Sequence, residues 1–154
     1  MRVGDELPPY DVPSVSAEKM KTMAALLADP TPIHFDVASL QALGMGDRPV
    51  NQGPLNMGYV MNAVTAWAGG PASLRRLRVR FLGTVLAGQH LRVRGTVTAV
   101  HPDGSADCDV VLEVLTPRQD GQHGSGHVGQ DGSSQDGHLG GEAVVSGTAT
   151  VVLS

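Results

Sequence analysis

An acid and a base lie five residues apart in a proline-rich segment of the sequence. Residues 29–36 read Asp-Pro-Thr-Pro-Ile-His-Phe-Asp, so the carboxylate of Asp29 and the imidazole of His34 flank two prolines. Proline fixes its own φ and moves the residue before it out of the α conformation, so this segment is not helical. In a straight polyproline run the two groups would be about 15 Å apart. They can act together as an acid/base pair only if the chain curls back after Pro32.

A second segment could stabilise negative charge on an oxygen atom. Residues 53–68 contain no charged side chain and are predicted to form a helix, with Pro54 at its first position and Gly69 after its end. The unpaired N–H groups and the dipole at a helix N-terminus favour an anion. Because Pro54 has no N–H, Gly53 is the expected donor to a developing oxyanion. A plain glycine cap is the alternative interpretation.

The two segments resemble two motifs of the MaoC-like dehydratases, the family of the R-specific enoyl-CoA hydratases. The first motif is Asp-x-Asn-Pro-Ile/Leu-His-x-Asp/Asn, and most of its positions match, namely Asp29, Pro32, Ile33, His34 and Asp36. Thr31 departs from it, since the family usually has Asn there. The second motif, His-Gly-x-Leu, is similar to residues 52–55, with Gln52 in place of the His. The resemblance runs from Val3 to about Leu115 and resumes near Glu142.

The resemblance implies an enzyme that adds water to a trans-2-enoyl thioester, giving an (R)-3-hydroxyacyl thioester, or catalyses the reverse dehydration. Asp29 and His34 would then be the catalytic pair, and Gly53 would bind the thioester carbonyl. Thr31, Gln52 and Asp36 would have supporting roles, although Asp36 is expected mainly to cap a helix. The substrate would be an acyl-CoA or acyl-carrier thioester, and no cofactor or metal ion is expected. The family usually forms dimers, so we expect a homodimer, with a heterodimer as the alternative.

Two other functions remain open at this stage. One is a thioesterase of the same fold, many of which use a carboxylate on the central helix, whereas residues 54–68 contain none. The other is a non-catalytic partner subunit that binds acyl-CoA, a role that the departures at Thr31 and Gln52 keep open. Arginines 76, 78 and 80 alternate along one predicted strand and could contact CoA phosphates, but a solvated strand face is favoured.

Apolar periodicity predicts helices first and strands afterwards. Residues 17–28 form an amphipathic helix capped by Ser16, and a short helix follows Asp36 and ends at Gly44. Period-2 alternation then marks strands at residues 77–81, 91–98, 106–114 and 143–153, and residues 4–12 are a weaker first strand. Turns at Ala87–Gly88 and at residues 102–104 are expected to join antiparallel neighbours. An antiparallel sheet around one uncharged helix is α+β, and the resemblance implies the hot dog fold.

Composition indicates a single cytoplasmic domain over residues 1–154. The formal net charge of −4 argues against nucleic-acid binding. The N-terminus has no apolar run, so no signal peptide is expected, and the uncharged stretch from Pro49 to Ser73 is too polar for a membrane span. The single Cys108 lies on an apolar strand face and is expected in the core, in a reducing compartment.

Residues 117–141 interrupt the strand pattern. They are rich in Gly, Gln, Asp, Ser and His and are predicted to be a disordered insertion between the last two strands. Three histidines in it, His123, His127 and His138, are weak evidence for a metal site, because flexible spacing without Cys seldom builds one.

Overall fold

One long helix packs against a face of a five-stranded antiparallel sheet. The computed structural model describes residues 1–115 and 141–152 of the chain. Within these ranges the helices and strands are, in chain order, β1 (Tyr10–Val12), α1 (Ala17–Leu27), α2 (Val37–Ala42), α3 (Gly53–Ala68), β2 (Leu74–Phe81), β3 (Leu91–Val100), β4 (Ser105–Val114) and β5 (Glu142–Val152). Short 3-10 turns occupy Pro32–His34 and Pro71–Ser73. The expected α+β hot dog fold is confirmed.

The strand order in the sheet is β1-β3-β4-β5-β2, and all neighbours are antiparallel. The hairpin expected between β3 and β4 is present, but the expected pairing of β2 with β3 is wrong. The backbone N–H groups of Ala87 and Gly88 donate to the carbonyls of Pro49 and Val15 instead of closing a hairpin. The chain therefore crosses to the other side of the sheet after β2, which leaves β2 at one edge.

The core lies between α3 and the apolar face of the sheet. α3 packs against β2, β3, β4 and β5, and the alternate residues of β3 and β4 that face it are buried, as the periodicity predicts. Cys108 is among them and is fully buried. Burial raises the pKa of its thiol to about 11, so the thiol is protonated at neutral pH and behaves as a small apolar core residue.

The helix α3 has the predicted bounds and packs against the sheet with one face. It begins at Gly53, so Pro54 occupies the second helical position rather than the first, and Gln52 is the N-cap residue. Val60 and Val64 are fully buried against the sheet. The sheet covers one face of the helix, and Met61 on another face is 37% exposed.

The shorter helices begin at the residues expected to cap them. The Ser16 hydroxyl accepts a hydrogen bond from the Lys19 N–H at 3.3 Å, and the Asp36 carboxylate accepts one from the Ala38 N–H at 3.1 Å. α1 ends at Leu27, one residue earlier than predicted. None of the helices in residues 1–115 and 141–152 has the length and apolar character needed to cross a membrane.

The strands β4 and β5 are paired at the two ends that flank the predicted insertion. Val114 of β4 is the cross-strand neighbour of Glu142 of β5, so the ends of the intervening segment are already adjacent. Residues 117–140 of the predicted insertion, with His123, His127 and His138, lie outside the described residues.

We predict that replacing residues 118–140 with a short Gly-Ser link does not destabilise the protein. Val114 and Glu142 are paired, so a few residues can join the strands, and the shorter connection lowers the cost of loop closure by about 1–2 kcal/mol. Chemical denaturation of the two proteins measures the difference in the free energy of unfolding. A loss of stability in the shortened chain would show that the segment contributes to folding.

Candidate active site

The candidate acid, Asp29, is held at the exit from α1. Ala28 ends the helix in the left-handed conformation, with φ of 50°, and the Asp29 N–H donates to the Ala24 carbonyl at 2.9 Å. A left-handed backbone costs a residue with a Cβ about 1–2 kcal/mol. Strain of this kind persists only where the surrounding structure enforces it, and it is enriched next to functional residues. The helix end therefore sets the direction in which the Asp29 side chain leaves the backbone.

The 3-10 turn Pro32–His34 brings His34 back to Asp29. The N–H groups of Phe35 and Asp36 both donate to the Pro32 carbonyl, which closes the turn. The His34 Nε2 atom then lies 3.6 Å from Oδ2 of Asp29. The two side chains are 12% and 28% exposed respectively, so the pair is largely enclosed yet open on one side. The prediction that the chain curls back after Pro32 is confirmed.

A backbone carbonyl determines which nitrogen of His34 carries the proton. The Nδ1 atom lies 2.6 Å from the carbonyl oxygen of Val50. A carbonyl can only accept a hydrogen bond, so Nδ1 is the protonated nitrogen. In the neutral ring, Nε2 is therefore an acceptor, and it faces Asp29. The pair presents two acceptor atoms, Nε2 and Oδ2, on the same side.

Thr31 stabilises the ionised form of the Asp29 carboxylate. Its backbone N–H donates to Oδ1 of Asp29 at 3.0 Å, which leaves Oδ2 for the side facing His34. Hydrogen bonds from the Thr31 hydroxyl and N–H lower the pKa of Asp29 below its ordinary value, and the charge of a protonated His34 adds a smaller effect in the same direction. Partial desolvation opposes these effects without cancelling them. Thr31 thus supports the carboxylate directly.

The N-terminus of α3 is joined to the pair through Val50. The Val50 N–H donates to the Ile33 carbonyl at 3.0 Å, while its carbonyl accepts from His34. Gly53 lies three residues further along, at the first position of the helix. A Cβ built on Gly53 would lie 3.2 Å from Cζ of Phe81, so the aromatic ring packs directly on this glycine. The absence of a side chain at Gly53 allows this close approach.

Gln52 is buried and connects two helices instead of facing solvent. It is 2% exposed, and its Nε2 donates to the Met20 carbonyl at 2.9 Å, which ties α1 to the start of α3. Asn51 beside it is also buried, and its amide donates to Oδ1 of Asn56 at 2.6 Å. Among the described residues, neither Oδ1 of Asn51 nor Oε1 of Gln52 has a hydrogen-bond partner. Gln52 thus connects α1 to the start of α3, and its supporting role in the reaction stays a prediction.

The remaining predicted site residues lie elsewhere. Asp36 uses both carboxylate oxygens within α2, accepting from the Ala38 N–H and from the Ser39 hydroxyl at 2.5 Å. Hydrogen bonding by Ser39 is the main reason that the pKa of Asp36 is lowered. The arginines of β2 have their cross-strand neighbours on β5, in the pairs Arg76–Thr150, Arg78–Thr148 and Arg80–Ser146. Asp36 is accordingly a helix cap, as mainly expected.

Sequence reasoning missed two contributors to the site. Val50 acts through its backbone atoms, and no property of a valine side chain signals a carbonyl that orients a histidine. Phe81, the last residue of the predicted strand 77–81, is 51% exposed and packs on Gly53. The alternation of β2 assigns Phe81 to the same face as Leu77 and Val79, but it could not reveal how exposed the end of this strand is.

An open groove of about 460 Å³ runs beside the carboxylate. Its walls are mostly apolar and come from α1 and the turn that follows it; they are Lys21, Ala24, Ala25, Ala28, Asp29, Pro30 and Phe35. Asp29 is the acidic group of this lining. A groove of this size and lining can hold an alkyl chain beside the Asp29 carboxylate.

Comparison with known proteins supports the MaoC-like family, whose motifs the sequence resembles. The family model of the MaoC-like domain matches residues 5–114. Among curated proteins, none matches the chain. The structure of an (R)-hydratase from A. caviae involved in PHA biosynthesis has a TM-score of 0.74 to this chain at 20% sequence identity, covering 100% of this chain and 98% of that one.

Two further structures are similar. The R-hydratase PhaJ1 from Pseudomonas aeruginosa has a TM-score of 0.73 and 19% identity, over 99% of this chain and 82% of that one. A chain of the ChsH1-ChsH2 complex from Mycobacterium tuberculosis has a TM-score of 0.71 and 21% identity, over 100% of this chain and 99% of that one. At these identities the likeness establishes the fold.

We predict that Thr31→Val raises the pKa of Asp29. The hydroxyl stabilises the ionised carboxylate, so its loss favours protonation. A carboxyl whose pKa is lowered by folding contributes stability above its unfolded pKa and loses that contribution as the pH falls through the folded pKa. In the variant this contribution is therefore smaller, and its loss is complete at a higher pH. Carbon NMR titration of the Asp29 carboxyl measures the shift.

Thr22→Val is the matched control, because the Thr22 hydroxyl donates to the Glu18 carbonyl on α1. An unchanged Asp29 titration in Thr31→Val would show that the Thr31 hydroxyl does not lower the pKa of Asp29.

Proposed function

The chain belongs to the MaoC-like dehydratase family, and we propose that it adds water to trans-2-enoyl thioesters to give (R)-3-hydroxyacyl thioesters, or catalyses the reverse dehydration. The observation that carries this proposal is the separation of 3.6 Å between Nε2 of His34 and Oδ2 of Asp29, both free to accept a proton on the same side. Hydration needs one activated water molecule, one proton for Cα and one stabiliser for the carbonyl oxygen, and the site offers a group for each.

The acceptor pair suits a water molecule bound by both of its protons. A water bridging Oδ2 and Nε2 donates one hydrogen bond to each atom, and its lone pairs then point away from the pair, toward a bound substrate. The lowered pKa of Asp29 makes this carboxylate a weak base. We therefore assign proton acceptance to His34 and orientation of the water to Asp29.

The reaction follows from this arrangement. The water oxygen forms a bond to Cβ of the enoyl thioester while its proton passes to Nε2 of His34. The electron pair of the carbon–carbon double bond moves toward the thioester carbonyl, whose oxygen becomes enolate-like and accepts a hydrogen bond from the Gly53 N–H. The proton on His34 then passes to Cα, which completes the addition of water. Every atom comes from the substrate and the water, so the proposal invokes no cofactor.

The groove beside Asp29 supports an acyl thioester as the substrate. Ala24, Ala25 and Ala28 give it a smooth apolar wall of the kind that accepts an alkyl chain. The thioester would lie at the N-terminus of α3, and the remainder would be CoA or an acyl-carrier group. CoA contacts by Arg76, Arg78 and Arg80 stay a prediction, since these side chains lie on β2 beside β5.

The two rival functions have less support. A thioesterase that uses a carboxylate on the central helix would need an acidic residue in α3, and Gly53–Ala68 contains none. A non-catalytic subunit would not need the oriented histidine or the ionised carboxylate. Release of a free thiol, followed with a thiol reagent, distinguishes thioester hydrolysis from hydration, in which the enoyl absorbance falls and no thiol appears.

The oligomeric state is part of the proposal. A homodimer is the family's usual form, while the complex of ChsH1 with ChsH2 supports a partner of different sequence.

We predict that Asp29→Asn and His34→Ala each reduce the turnover of crotonyl-CoA by about 10²–10⁴-fold. The double variant should lose much less than the product of the two factors, because both residues act on one water molecule in one step. The loss of enoyl absorbance measures turnover, and thioester binding is measured separately because the Gly53 N–H survives both changes.

Asp36→Asn is the matched control, since Asn is a good N-cap and Asp36 contacts only α2 through its carboxylate. Near wild-type turnover in Asp29→Asn would refute the catalytic assignment. A wild-type protein that binds CoA thioesters yet hydrates none of them would favour the partner-subunit function.

We predict that Gly53→Ala lowers kcat/KM by at least about tenfold, because its Cβ meets the Phe81 ring and shields the N–H that would bind the carbonyl oxygen. Gly58→Ala in the same helix is the control. A Cβ there meets nothing within 4 Å, so this change should leave kcat/KM unaltered and raise stability by about 0.5–1 kcal/mol. Equal activity in the two variants would contradict the role of Gly53.

A further inference from the structure

Two buried asparagine side chains bracket the start of α3. Asn51 and Asn56 are each 4% exposed, and Nδ2 of Asn51 donates a hydrogen bond to Oδ1 of Asn56 at 2.6 Å. Asn51 lies two residues before the helix, and Asn56 is its fourth residue. The bond between the two side chains, called the asparagine bridge below, therefore spans the peptide group that joins Gln52 to Gly53.

The peptide group between Gln52 and Gly53 carries the N–H that would bind the thioester oxygen. Its carbonyl belongs to Gln52 and accepts a hydrogen bond from the Asn56 N–H at 3.1 Å. Pro54 has no N–H, so the first helical turn offers the N–H groups of Gly53 and Leu55. A peptide group is planar, so a bond that fixes the Gln52 carbonyl also fixes the direction of the Gly53 N–H. Asn56 therefore controls this donor through its backbone.

Asn51 anchors the asparagine bridge to the body of the protein. Its backbone N–H donates to the carbonyl of Val85 at 2.7 Å, and Val85 is fully buried. The Asn51 amide also reaches Tyr59, three residues beyond Asn56. Burial raises the pKa of the Tyr59 phenol, and hydrogen bonding with Asn51 opposes that effect. Asn51 thus joins the connection between β2 and β3 to the first two turns of α3.

The asparagine bridge is a poor solution if stability is its only purpose. Among the described residues, Oδ1 of Asn51 has no hydrogen-bond partner. A buried acceptor without a partner opposes folding, and two apolar side chains of similar shape would avoid this cost. Asn51 and Asn56 are also too buried to touch a substrate, and neither lines the groove beside Asp29. They can affect the reaction only through the backbone that they hold.

We propose that Asn51 and Asn56 are positioning residues for the Gly53 N–H in the hydration of enoyl thioesters. The asparagine bridge holds the peptide so that this N–H points at the developing oxyanion before the substrate arrives. A donor fixed in advance needs no reorganisation during the reaction, and a misplacement of about 1 Å can cost on the order of 100-fold in rate. The inference rests on the proposed function, because that function gives the Gly53 N–H its ligand.

The variant Asn51→Leu/Asn56→Leu removes the bridge without leaving either carboxamide unpaired. A single replacement would leave the other amide buried without its partner, whereas apolar residues of similar size at both positions can be nearly neutral in stability. We expect kcat for crotonyl-CoA to fall about 10–100-fold, while the Kd of butyryl-CoA changes by less than about threefold, because the donor matters most when charge develops on the oxygen. Butyryl-CoA has no double bond, so it binds without reacting.

The carbonyl stretching frequency of bound butyryl-CoA reports the hydrogen bond directly. A donor to the oxygen weakens the C=O bond and lowers this frequency, which infrared difference spectroscopy of the isotope-labelled thioester measures. The wild type should lower the frequency relative to the free thioester, and the double variant should lose most of this shift. A pair of residues that only stabilised the fold would leave the frequency unchanged when replaced.

Val64→Ala and Asn62→Leu are the matched controls on α3. Val64 is fully buried, so its truncation destabilises the same helix without touching the bridge, and Asn62 is an exposed asparagine that undergoes the same change. Both should keep the wild-type kcat and carbonyl frequency. Circular dichroism establishes that each variant is folded. If the double variant is not, Asn51→Ala/Asn56→Ala/Tyr59→Phe replaces it, since this variant also removes the hydroxyl that would lose its amide partner.

Two results overturn this proposal alone. A folded double variant with wild-type kcat and carbonyl frequency would show that the bridge does not position the donor. A loss of kcat with an unchanged carbonyl frequency would show that the bridge acts on another part of the site. Failure of the proposed function gives a different result. A wild type that does not bind butyryl-CoA, or binds it with an unshifted carbonyl, would remove the role of the Gly53 N–H and this proposal with it.

Discussion

The hydrogen bond between Nδ1 of His34 and the carbonyl of Val50 is the interaction on which the candidate site depends. At 2.6 Å it fixes the orientation of the imidazole and places the proton on Nδ1, so that Nε2 is the acceptor beside Asp29. A second bond, from the Val50 N–H to the Ile33 carbonyl, holds the two segments together. The acid/base pair and the N-terminus of α3 are therefore one unit.

Buried polar side chains join this unit to the rest of the fold. The Asn51 N–H donates to the Val85 carbonyl, and Gln52 reaches the Met20 carbonyl on α1. Each leaves one side-chain oxygen without a partner among the described residues, and such an oxygen costs about 1–3 kcal/mol when buried. A sequence selected for stability alone would not need amides here. Their presence fits a segment whose position matters, because each amide fixes it to another element.

The sheet supplies the rigidity behind the site. Its inner face buries the alternate apolar residues of β3 and β4 against α3, so the helix start cannot move independently of the core. On the outer face, Arg92 pairs with Asp11 and Arg94 pairs with Glu113. The arginines of β2 lie on this outer face, at the edge of the sheet.

Local chemistry let the sequence alone determine the helix caps at Ser16 and Asp36, the bounds of α3, the inward faces of β3 and β4, and the two motifs of the family. Caps, turns and periodicity act over a few residues, so they can be read directly. Only the tertiary structure decided which strand neighbours β2, which side of α3 is exposed and how exposed Phe81 is. It also decided that the carbonyl of Val50 orients His34. These features join residues far apart in the chain through backbone groups that every residue carries, and side-chain identity does not encode which of those groups will meet.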